Sequence, residues 1–443
     1  MSNQTTHLSR RTLLAASTAA GLASGFGITR ARAEDKTPVG VWPASVEGDS
    51  VFFGLGCEST GPYSAQGGDM LKGYELAISH LNSGHELIRS MAPASKPGIL
   101  GKKITYQNAD TASNPNNAVQ AFTRFISQNK AVMLSGSVSS AVAIAAQKLA
   151  DRERVIYLAG ISGSNETTGV DCQRYGFRAC HFAYTAAAAL APVLSKELGA
   201  TRKVAYLVPD YTYGRTVLDS MKKFTEPLGW KTVTEQVCPL GATDYSSYLL
   251  NMLATDADTL VNICFGADAV NSVKQANQFG ALKKMKLVMP YSAPFLAQEV
   301  GVEIMEGVYG STEFWWTLEN TNAKAKAFVT EFEKTYKYKP EWGAHIAYLQ
   351  TALYARNVEK AGTFRPIEVI KTYETGEKVD TTIGEVYWRA SDHQLVRPVY
   401  IIKGKAAKDM KSKDDFYDIV ATVPGEQVMP PEGLLGCKLG PYV

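Results

Sequence analysis

The sequence predicts an α/β protein in which one strand–loop–helix unit recurs in two halves of the chain. Residues 51–55 are an apolar run with the length of a strand buried on both faces. Residues 60–62, Thr-Gly-Pro, break regular structure, and a helical pattern follows that places Leu71 and Ile78 on one face. Residues 203–208 begin the same order of strand, loop and amphipathic helix again. Ligands of such sheets bind at the carboxyl ends of the strands, so we expect the functional residues there.

Residues 1–33 have the features of an export signal. Arg10 and Arg11 precede a mildly apolar region, and Ala31-Arg32-Ala33 is a small-x-small cleavage site. The paired arginines indicate a twin-arginine-like signal, and the alternative is a chance pair in an ordinary secretion signal. The rest of the sequence has no charge-free apolar run of membrane-spanning length. We therefore expect an exported, soluble protein after cleavage behind Ala33.

The charge balance does not indicate a nucleic-acid partner. The whole chain has 46 basic and 43 acidic side chains. Four of the arginines lie in the signal, which has no acidic residue, so 42 basic side chains face 43 acidic ones afterwards. The apparent basicity belongs to the signal, and no nucleic-acid binding is expected.

The six cysteines all follow the signal, so export allows them to be oxidised. Cys172 and Cys180 bracket a short polar segment and are the expected disulfide. Cys264 lies in an apolar strand-like run and can be a buried thiol. The sequence does not pair the other three, which are Cys57, Cys238 and Cys437.

Neither metal chemistry nor catalysis is predicted. The sequence has no Cys-x-x-Cys, no His-Glu-x-x-His and only six scattered histidines, so no metal or cofactor is expected. Several serines stand at predicted helix starts, but none lies in a Gly-x-Ser-x-Gly elbow with a convincing histidine and acid. An exported hydrolase is therefore a weaker hypothesis than a binding protein.

The first half of the chain offers polar residues where its predicted strands end. Tyr63 and Gln66 follow the first strand. Ser139 and Ser140 follow the strand at residues 131–134 and begin a helix, where free N–H groups favour an anion. The alternative is that one serine only caps this helix. Ser162 follows a further strand at the same edge.

The second half offers mainly aromatic residues at the equivalent positions. Tyr213 lies in the loop after the first strand of this half, and Phe265 ends the next one. Asp268 follows, either as the partner of a cationic group or as a helix N-cap, and both alternatives stay open. Tyr291 follows the strand at residues 286–289.

Four segments resemble, in order, the periplasmic binding proteins of the leucine/isoleucine/valine type: TGPYSAQGGDMLKG, AVMLSGSVSSAVA, LVPDYTYG and SDHQLVRPVYIIK. The resemblance implies the type I fold, in which two doubly wound Rossmann-like lobes are joined by a three-stranded hinge. It implies a first lobe of residues 48–182 plus 314–382 and a second lobe of residues 183–313 plus 383–443. We expect a periplasmic monomer that passes its ligand to an inner-membrane ABC permease.

The same resemblance implies how the ligand is held. Ser140 aligns with the family's ligand-binding serine, and Tyr213 with its ligand-contacting tyrosine. Tyr291 stands where the amino-acid binders have a glutamate for the ammonium group. The family likeness thus favours a branched-chain amino acid, whereas this substitution favours a non-amino carboxylate such as an aromatic acid, or a small amide. A ligand-sensing regulator with the same fold is a further alternative.

Overall fold

The computed structural model describes residues 48–442. The predicted export signal at residues 1–33 and its cleavage site lie outside the described residues. Within residues 48–442, no helix is both long and apolar enough to cross a membrane.

Strands and helices alternate through most of the described chain. The strands are β1 (Ser50–Gly56), β2 (Lys103–Asn108), β3 (Ala131–Gly136), β4 (Ile156–Ala159), β5 (Gly176–Arg178), β6 (Lys203–Pro209), β7 (Lys231–Cys238), β8 (Thr259–Asn262), β9 (Lys286–Tyr291), β10 (Tyr309–Thr312), β11 (Val379–Thr381), β12 (Gly384–Trp388), β13 (Leu395–Val396), β14 (Val399–Gly404) and β15 (Tyr417–Val423). The helices are α1 (Ser64–Ser83), α2 (Glu86–Arg89), α3 (Pro115–Ser127), α4 (Ser140–Glu153), α5 (Ala183–Leu198), α6 (Thr212–Thr225), α7 (Ser246–Leu253), α8 (Gly266–Gln278), α9 (Ala281–Lys284), α10 (Phe295–Val300), α11 (Val302–Met305), α12 (Ala323–Tyr336), α13 (Trp342–Ala361), α14 (Pro366–Tyr373) and α15 (Gly425–Val428).

The first lobe is built on a five-stranded parallel sheet with the order β2-β1-β3-β4-β5. Its central strands β3 and β4 are buried along their whole length, as their apolar runs predict. Helices α3 and α4 cover one face with a small apolar layer. Helix α1 packs against the largely buried α13 on the other face. Helices on both faces of a parallel sheet confirm the doubly wound prediction.

The second lobe is built on a seven-stranded sheet with the order β15-β14-β10-β9-β8-β6-β7. Strands β6 to β10 are parallel to one another, whereas β14 and β15 extend the sheet in antiparallel pairs. One apolar cluster runs through both lobes. The two-lobe α/β architecture predicted from the repeated unit is thus present.

The chain forms a small additional sheet before its last two strands. Strand β12 pairs with β11 and β13 in a separate three-stranded sheet. The chain then leaves β13, and β14 joins the second-lobe sheet. Pro398 separates the two strands, because it cannot donate a ladder hydrogen bond.

The predicted disulfide between Cys172 and Cys180 is wrong. Cys172 is bonded to Cys437, with the two Cα atoms 5.5 Å apart. The segment between Cys172 and Cys180 contains strand β5, whose extended backbone carries the two residues apart. Cys180 is a free buried thiol whose Sγ donates to the backbone oxygen of Ser162 at 3.3 Å.

The hinge brings together one titratable residue from each of three crossing segments. His181 lies between β5 and α5, Glu313 between β10 and α12, and Arg397 between β13 and β14. The Glu313 carboxylate lies 2.7 Å from His181 Nδ1 and 2.9 Å from Arg397 Nη1. All three residues are buried, so this network fixes how the crossings lie beside each other.

Candidate functional site

The carboxyl ends of the parallel strands of the two lobes face each other across a closed cleft. Ala267 of the second lobe donates its N–H to the Pro62 oxygen at 2.9 Å. The approach is close because Gly266 has a φ of +59°, and a Cβ there would lie 2.4 Å from the same oxygen. The hydroxyls of Tyr63 and Tyr211 hydrogen-bond across the cleft at 2.6 Å. These contacts bring the two lobes together, and we call the region between them the chamber.

Helix α4 begins at this chamber without a side-chain cap. Ser139 is its N-cap residue, but its hydroxyl does not accept a hydrogen bond from the helix. That hydroxyl is buried and has no hydrogen-bond partner among the described residues. The first N–H groups of a helix lack internal partners and carry the positive end of its dipole. The start of α4 therefore offers an oriented donor group to an anion.

Ser140 and Ser162 belong to the wall beside this helix start. Ser140 Oγ accepts the N–H of Ser164 at 3.2 Å, so it joins α4 to the loop after β4. Ser162 Oγ shares a hydrogen bond of 2.7 Å with Thr167. Both serines are buried and already have partners within the protein. Of the three predicted serines, Ser139 is the one whose hydroxyl has no hydrogen-bond partner among the described residues.

Arg178 places a positive charge directly behind this loop. Its guanidinium is fully buried and donates to the backbone oxygens of Ser162 and Ser164, to Thr168 Oγ1 and to Gln394 Oε1. No carboxylate among residues 48–442 pairs with it. Burial lowers the pKa of this arginine, which measures the cost of keeping the charge there. Asp392 and Glu166 act on this charge only without a direct ion pair, so the charge still favours an anion at the first-lobe wall.

Aromatic rings form the opposite wall. The rings of Tyr213 and Tyr291 lie 5.5 Å apart, and Tyr291 stacks on His181 with 4.8 Å between ring centroids. Phe265 meets Trp342 edge-on at 5.5 Å. The hydroxyls of both tyrosines and the Trp342 N–H are buried without a hydrogen-bond partner among the described residues. The wall therefore combines ring surfaces with several unused donors.

Gly163 lies where the two walls meet. A Cβ at this position would stand 3.0 Å from the Tyr213 ring and 3.3 Å from the Tyr291 ring. Any side chain at this position would therefore press the second-lobe rings away. The glycine allows the rings to approach the first-lobe loop.

The candidate partners of an ammonium group are all constrained. Asp268 is neither free nor the N-cap of α8, because Phe265 occupies that position and Asp268 Oδ2 accepts the Gly241 N–H at 2.8 Å. Burial raises the pKa of Asp268 to about 6. Glu58 accepts hydrogen bonds from Ser137 and Val138, and burial raises its pKa as well.

Glu341, next to Trp342, has one oxygen without a partner among the described residues. Burial and the neighbouring Asp69 raise its pKa well above the ordinary value, which favours the neutral acid. An ion pair between Glu341 and an ammonium group would have to overcome the same cost of burying the carboxylate.

An open cavity of about 620 Å³ adjoins the chamber on its outer side. Of the nine predicted ligand residues, Gln66, Phe265 and Tyr291 line this cavity. The other six are buried and do not line it: Tyr63, Ser139, Ser140, Ser162, Tyr213 and Asp268.

Four residues of the chamber escaped the sequence analysis: Gly163, Arg178, His181 and Trp342. Trp342 has the periodic apolar surroundings of an ordinary core helix, so nothing in the sequence marks it. Two of the four partners of Arg178 are backbone oxygens, which no sequence pattern marks. Gly163 lies in a Ser-Gly-Ser segment after a strand, and that segment is the one signal that was available.

One side-chain cluster in the described part of the chain has the residue types of a metal site. Ligand atoms of His80, His85 and Glu331 lie within 4.8 Å of each other. The two imidazole rings, however, are parallel and 3.8 Å apart, so their lone pairs do not converge on one point. His85 Nδ1 also accepts the Leu87 N–H, which leaves the proton of a neutral ring on Nε2. The geometry does not fit a bound metal.

Comparison with known proteins gives a consistent family match. The family model described as periplasmic binding protein matches residues 50–409. The Leu/Ile/Val-binding protein homolog 7 of Brucella abortus (strain 2308) is 26% identical over 316 residues, covering 69% of this chain and 74% of the relative.

Solved structures share the fold. An amino acid ABC transporter substrate-binding protein from Pseudomonas fluorescens Pf-5 is 25% identical with a TM-score of 0.78, covering 89% of this chain and 100% of that one. An ABC transporter solute binding protein from R. palustris, in complex with benzoate, is 20% identical with a TM-score of 0.74 and covers 88% and 100%.

Proposed function

The chain belongs to the periplasmic binding protein family, and we propose that it is the extracytoplasmic solute receptor of an ABC importer. In this proposal the protein is exported, loses its signal behind Ala33, captures a small carboxylate-bearing ligand between its lobes as a monomer and delivers it to a membrane permease. It is a binding protein and not an enzyme. The substrate-binding proteins among its relatives and structural neighbours support this role.

The uncapped start of α4 carries the proposal. Burying the Ser139 hydroxyl without a hydrogen-bond partner costs free energy unless a ligand supplies that hydrogen bond. The helix dipole and Arg178 both favour an anion at this point. We assign the ligand carboxylate to the α4 N–H groups and Ser139, with Ser140 and Ser162 shaping the wall.

The second lobe covers the rest of the ligand. Tyr213 and Tyr291 present their rings towards the first-lobe wall, and their hydroxyls have no hydrogen-bond partner within residues 48–442. Phe265 extends this apolar surface, while Tyr63 and Gln66 border it from the first lobe. Asp268 supports the second-lobe wall by holding Gly241. Aromatic surfaces of this kind suit a flat or apolar ligand body.

We favour a non-amino carboxylate, such as an aromatic acid, over a branched-chain amino acid. Tyr291 occupies the position from which the amino-acid receptors contact the ammonium group, and Asp268 and Glu58 are both occupied by backbone N–H groups. Burying an ammonium group without a charged partner costs several kcal/mol. The benzoate-bound neighbour from R. palustris shows that this fold accepts such a ligand.

Closure of the lobes is the proposed capture step. A ligand that touches both walls binds the closed state better and shifts the population towards it. The hydrogen bond between Tyr63 and Tyr211 and the Ala267–Pro62 contact form only when the lobes meet. Ligand binding and cross-lobe contacts thus stabilise one and the same state.

A thermal-shift screen tests the proposal. A ligand that binds only the folded protein raises its melting temperature, because the stabilisation equals RT ln(1 + [L]/Kd). We expect benzoate or a related aromatic acid to stabilise the protein more than leucine, isoleucine or valine at equal concentration. Stabilisation by the branched-chain amino acids alone would assign the ligand to the other class.

A further inference from the structure

The C-terminal segment, residues 424–442, lies beyond the residues matched by the family model. It leaves the second lobe after β15, and Arg389 Nη1 donates to its Pro430 oxygen at 2.7 Å near the hinge. It then reaches the first lobe, where Cys437 is bonded to Cys172. The segment is thus a further connection between the lobes, in addition to the hinge crossings.

Residues 435–442 run along one side of the loop that joins β4 to β5, residues 160–175. Lys438 donates its N–H to Cys172 Sγ at 3.1 Å. Arg174 donates to the Gly440 oxygen and lies 4.3 Å above the Tyr442 ring. The disulfide is the covalent anchor on the outer side of the loop, and these contacts lie beside it.

The inner side of the same loop forms the chamber wall. Gly163 contacts the second-lobe rings, and Ser164 donates its N–H to Ser140. Thr167 Oγ1 bonds to the hydroxyls of Ser162 and Ser164 at 2.7 and 3.1 Å.

A backbone turn ties this inner side to the anchored one. Gly169 and Asp171 both donate to the Glu166 oxygen, at 3.1 and 3.0 Å. Cys172 donates to the Gly169 oxygen at 3.0 Å and so continues the turn to the disulfide.

We propose that the C-terminal segment, fixed by the Cys172–Cys437 disulfide, positions the 160–175 loop for ligand capture. A loop of this length has many conformations when it is not held, and ordering it during binding lowers the affinity. A loop that is held beforehand avoids this cost. The proposal rests on the proposed function, because it assigns the inner side of the loop to the ligand site.

The disulfide acts on the loop and not as a limit on hinge opening. Roughly 14 residues separate the end of β15 from Cys437, and such a segment spans about 45 Å when extended. In the proposal, this length leaves the hinge free to open. Loss of the disulfide should therefore increase the mobility of the 160–175 loop and leave the two lobes folded as before.

Hydrogen exchange of the unliganded protein tests this proposal. In the C172S/C437S variant we expect peptides from residues 160–175 to exchange about tenfold faster, while β6 and α13 remain protected. A chain that ends at Lys438 is the matched control, because it keeps the disulfide and loses the Gly440 and Tyr442 contacts. Should the double variant not fold, reducing the folded wild type with a water-soluble phosphine makes the same comparison. Unchanged loop exchange after loss of the disulfide would overturn the proposal.

Calorimetric titration with benzoate gives the second readout. We expect benzoate to bind the double variant about three- to tenfold more weakly than the wild type, and the Lys438-terminated chain to bind like the wild type. If the double variant bound benzoate as tightly as the wild type, the proposal would be overturned. If the wild type does not bind benzoate, the ligand assignment is wrong, and the exchange experiment alone decides the role of the segment.

Discussion

The two walls of the chamber differ in chemistry. The first-lobe wall offers the uncapped start of α4, the Ser139 hydroxyl and the charge of Arg178 behind them. The second-lobe wall offers the rings of Tyr213 and Tyr291. One wall is therefore suited to fix a charged end, and the other to cover an apolar body. In the proposed function, this division gives the ligand contacts with both lobes, so that closure follows binding.

Helix starts elsewhere in the first lobe sharpen this contrast. Asn114 caps α3 by accepting the Asn116 N–H, and Asn322 caps α12 by accepting the Ala325 N–H. Ser139 stands at the same position of α4 and caps nothing. Polar residues at helix starts often satisfy the helix itself. Glu341 of α13 and Arg365 of α14 also make no side-chain cap. What marks Ser139 is that its buried hydroxyl has no hydrogen-bond partner among the described residues.

The largest expected effect is that of Ser139→Ala on the first-lobe wall. Loss of a hydrogen bond to a charged group should weaken ligand binding by about 1.5–3 kcal/mol, roughly ten- to hundredfold. The melting temperature of the unliganded protein should hardly change, because this hydroxyl has no partner among the described residues. Calorimetric titration with the best ligand of the screen, together with thermal melting, measures both quantities.

Ser140→Ala is the matched control on the same helix. It leaves the Ser164 N–H without its acceptor, so we expect it to lower the free energy of unfolding by about 1–3 kcal/mol. If Ser139→Ala destabilised the unliganded protein and left the affinity unchanged, Ser139 would be a helix cap. The start of α4 would then not differ from the starts of α3 and α12.

Asp268→Asn addresses the charge of the second-lobe wall. Burial raises the pKa of Asp268 to about 6, so the folded protein binds this proton more tightly than the unfolded chain. The stabilisation from this group is complete below about pH 4 and is lost as the pH rises through about 6. Asparagine keeps an oxygen for the Gly241 N–H without the charge. We expect the variant to be more stable than the wild type at pH 8 by about 1–3 kcal/mol, and equally stable near pH 4.

Chemical denaturation at the two pH values measures this difference. Asp244→Asn is the control, because Asp244 is an exposed residue of the same lobe that accepts the Ser246 N–H. An equal gain in stability at pH 8 in both variants would mean that burial of Asp268 does not cause the gain. The affinity for a simple carboxylate should be unchanged or improved in Asp268→Asn, whereas an amino acid held by Asp268 would lose about 2–5 kcal/mol.

Tyr291→Phe is expected to have the smallest effect. Its hydroxyl has no partner among the described residues, so the variant loses only a neutral hydrogen bond to the ligand, worth about 0.5–1.5 kcal/mol or roughly two- to tenfold in affinity. Tyr309→Phe is the control, because the Tyr309 hydroxyl binds Glu197 and not the chamber. The same titration measures both variants, and unchanged affinity in Tyr291→Phe would remove its hydroxyl from the site.

Local sequence patterns predicted the strands and the fold class well, but they did not predict contacts between residues far apart in the chain. The strand expected at residues 51–55 lies within β1, because an apolar run of this length is encoded by its own residues. The pairing of Cys172 with Cys437 bridges 265 positions, and no local pattern encodes it. The predicted ligand residues remain predictions, although most of them surround one chamber. Arg178 and Trp342 escaped because charge burial and ring packing depend on the assembled lobes.

The most direct test of the two-wall chamber compares ligands that differ only in the ammonium group. Hydrocinnamate is phenylalanine without its amino group, and isocaproate is leucine without its amino group. Calorimetric titration of the wild-type protein should show that at least one of the two acids binds, and that its amino acid binds about a hundredfold more weakly or not at all, since an ammonium group would be buried without a charged partner. Tighter binding of leucine or phenylalanine than of the matching acid would contradict this division of the chamber.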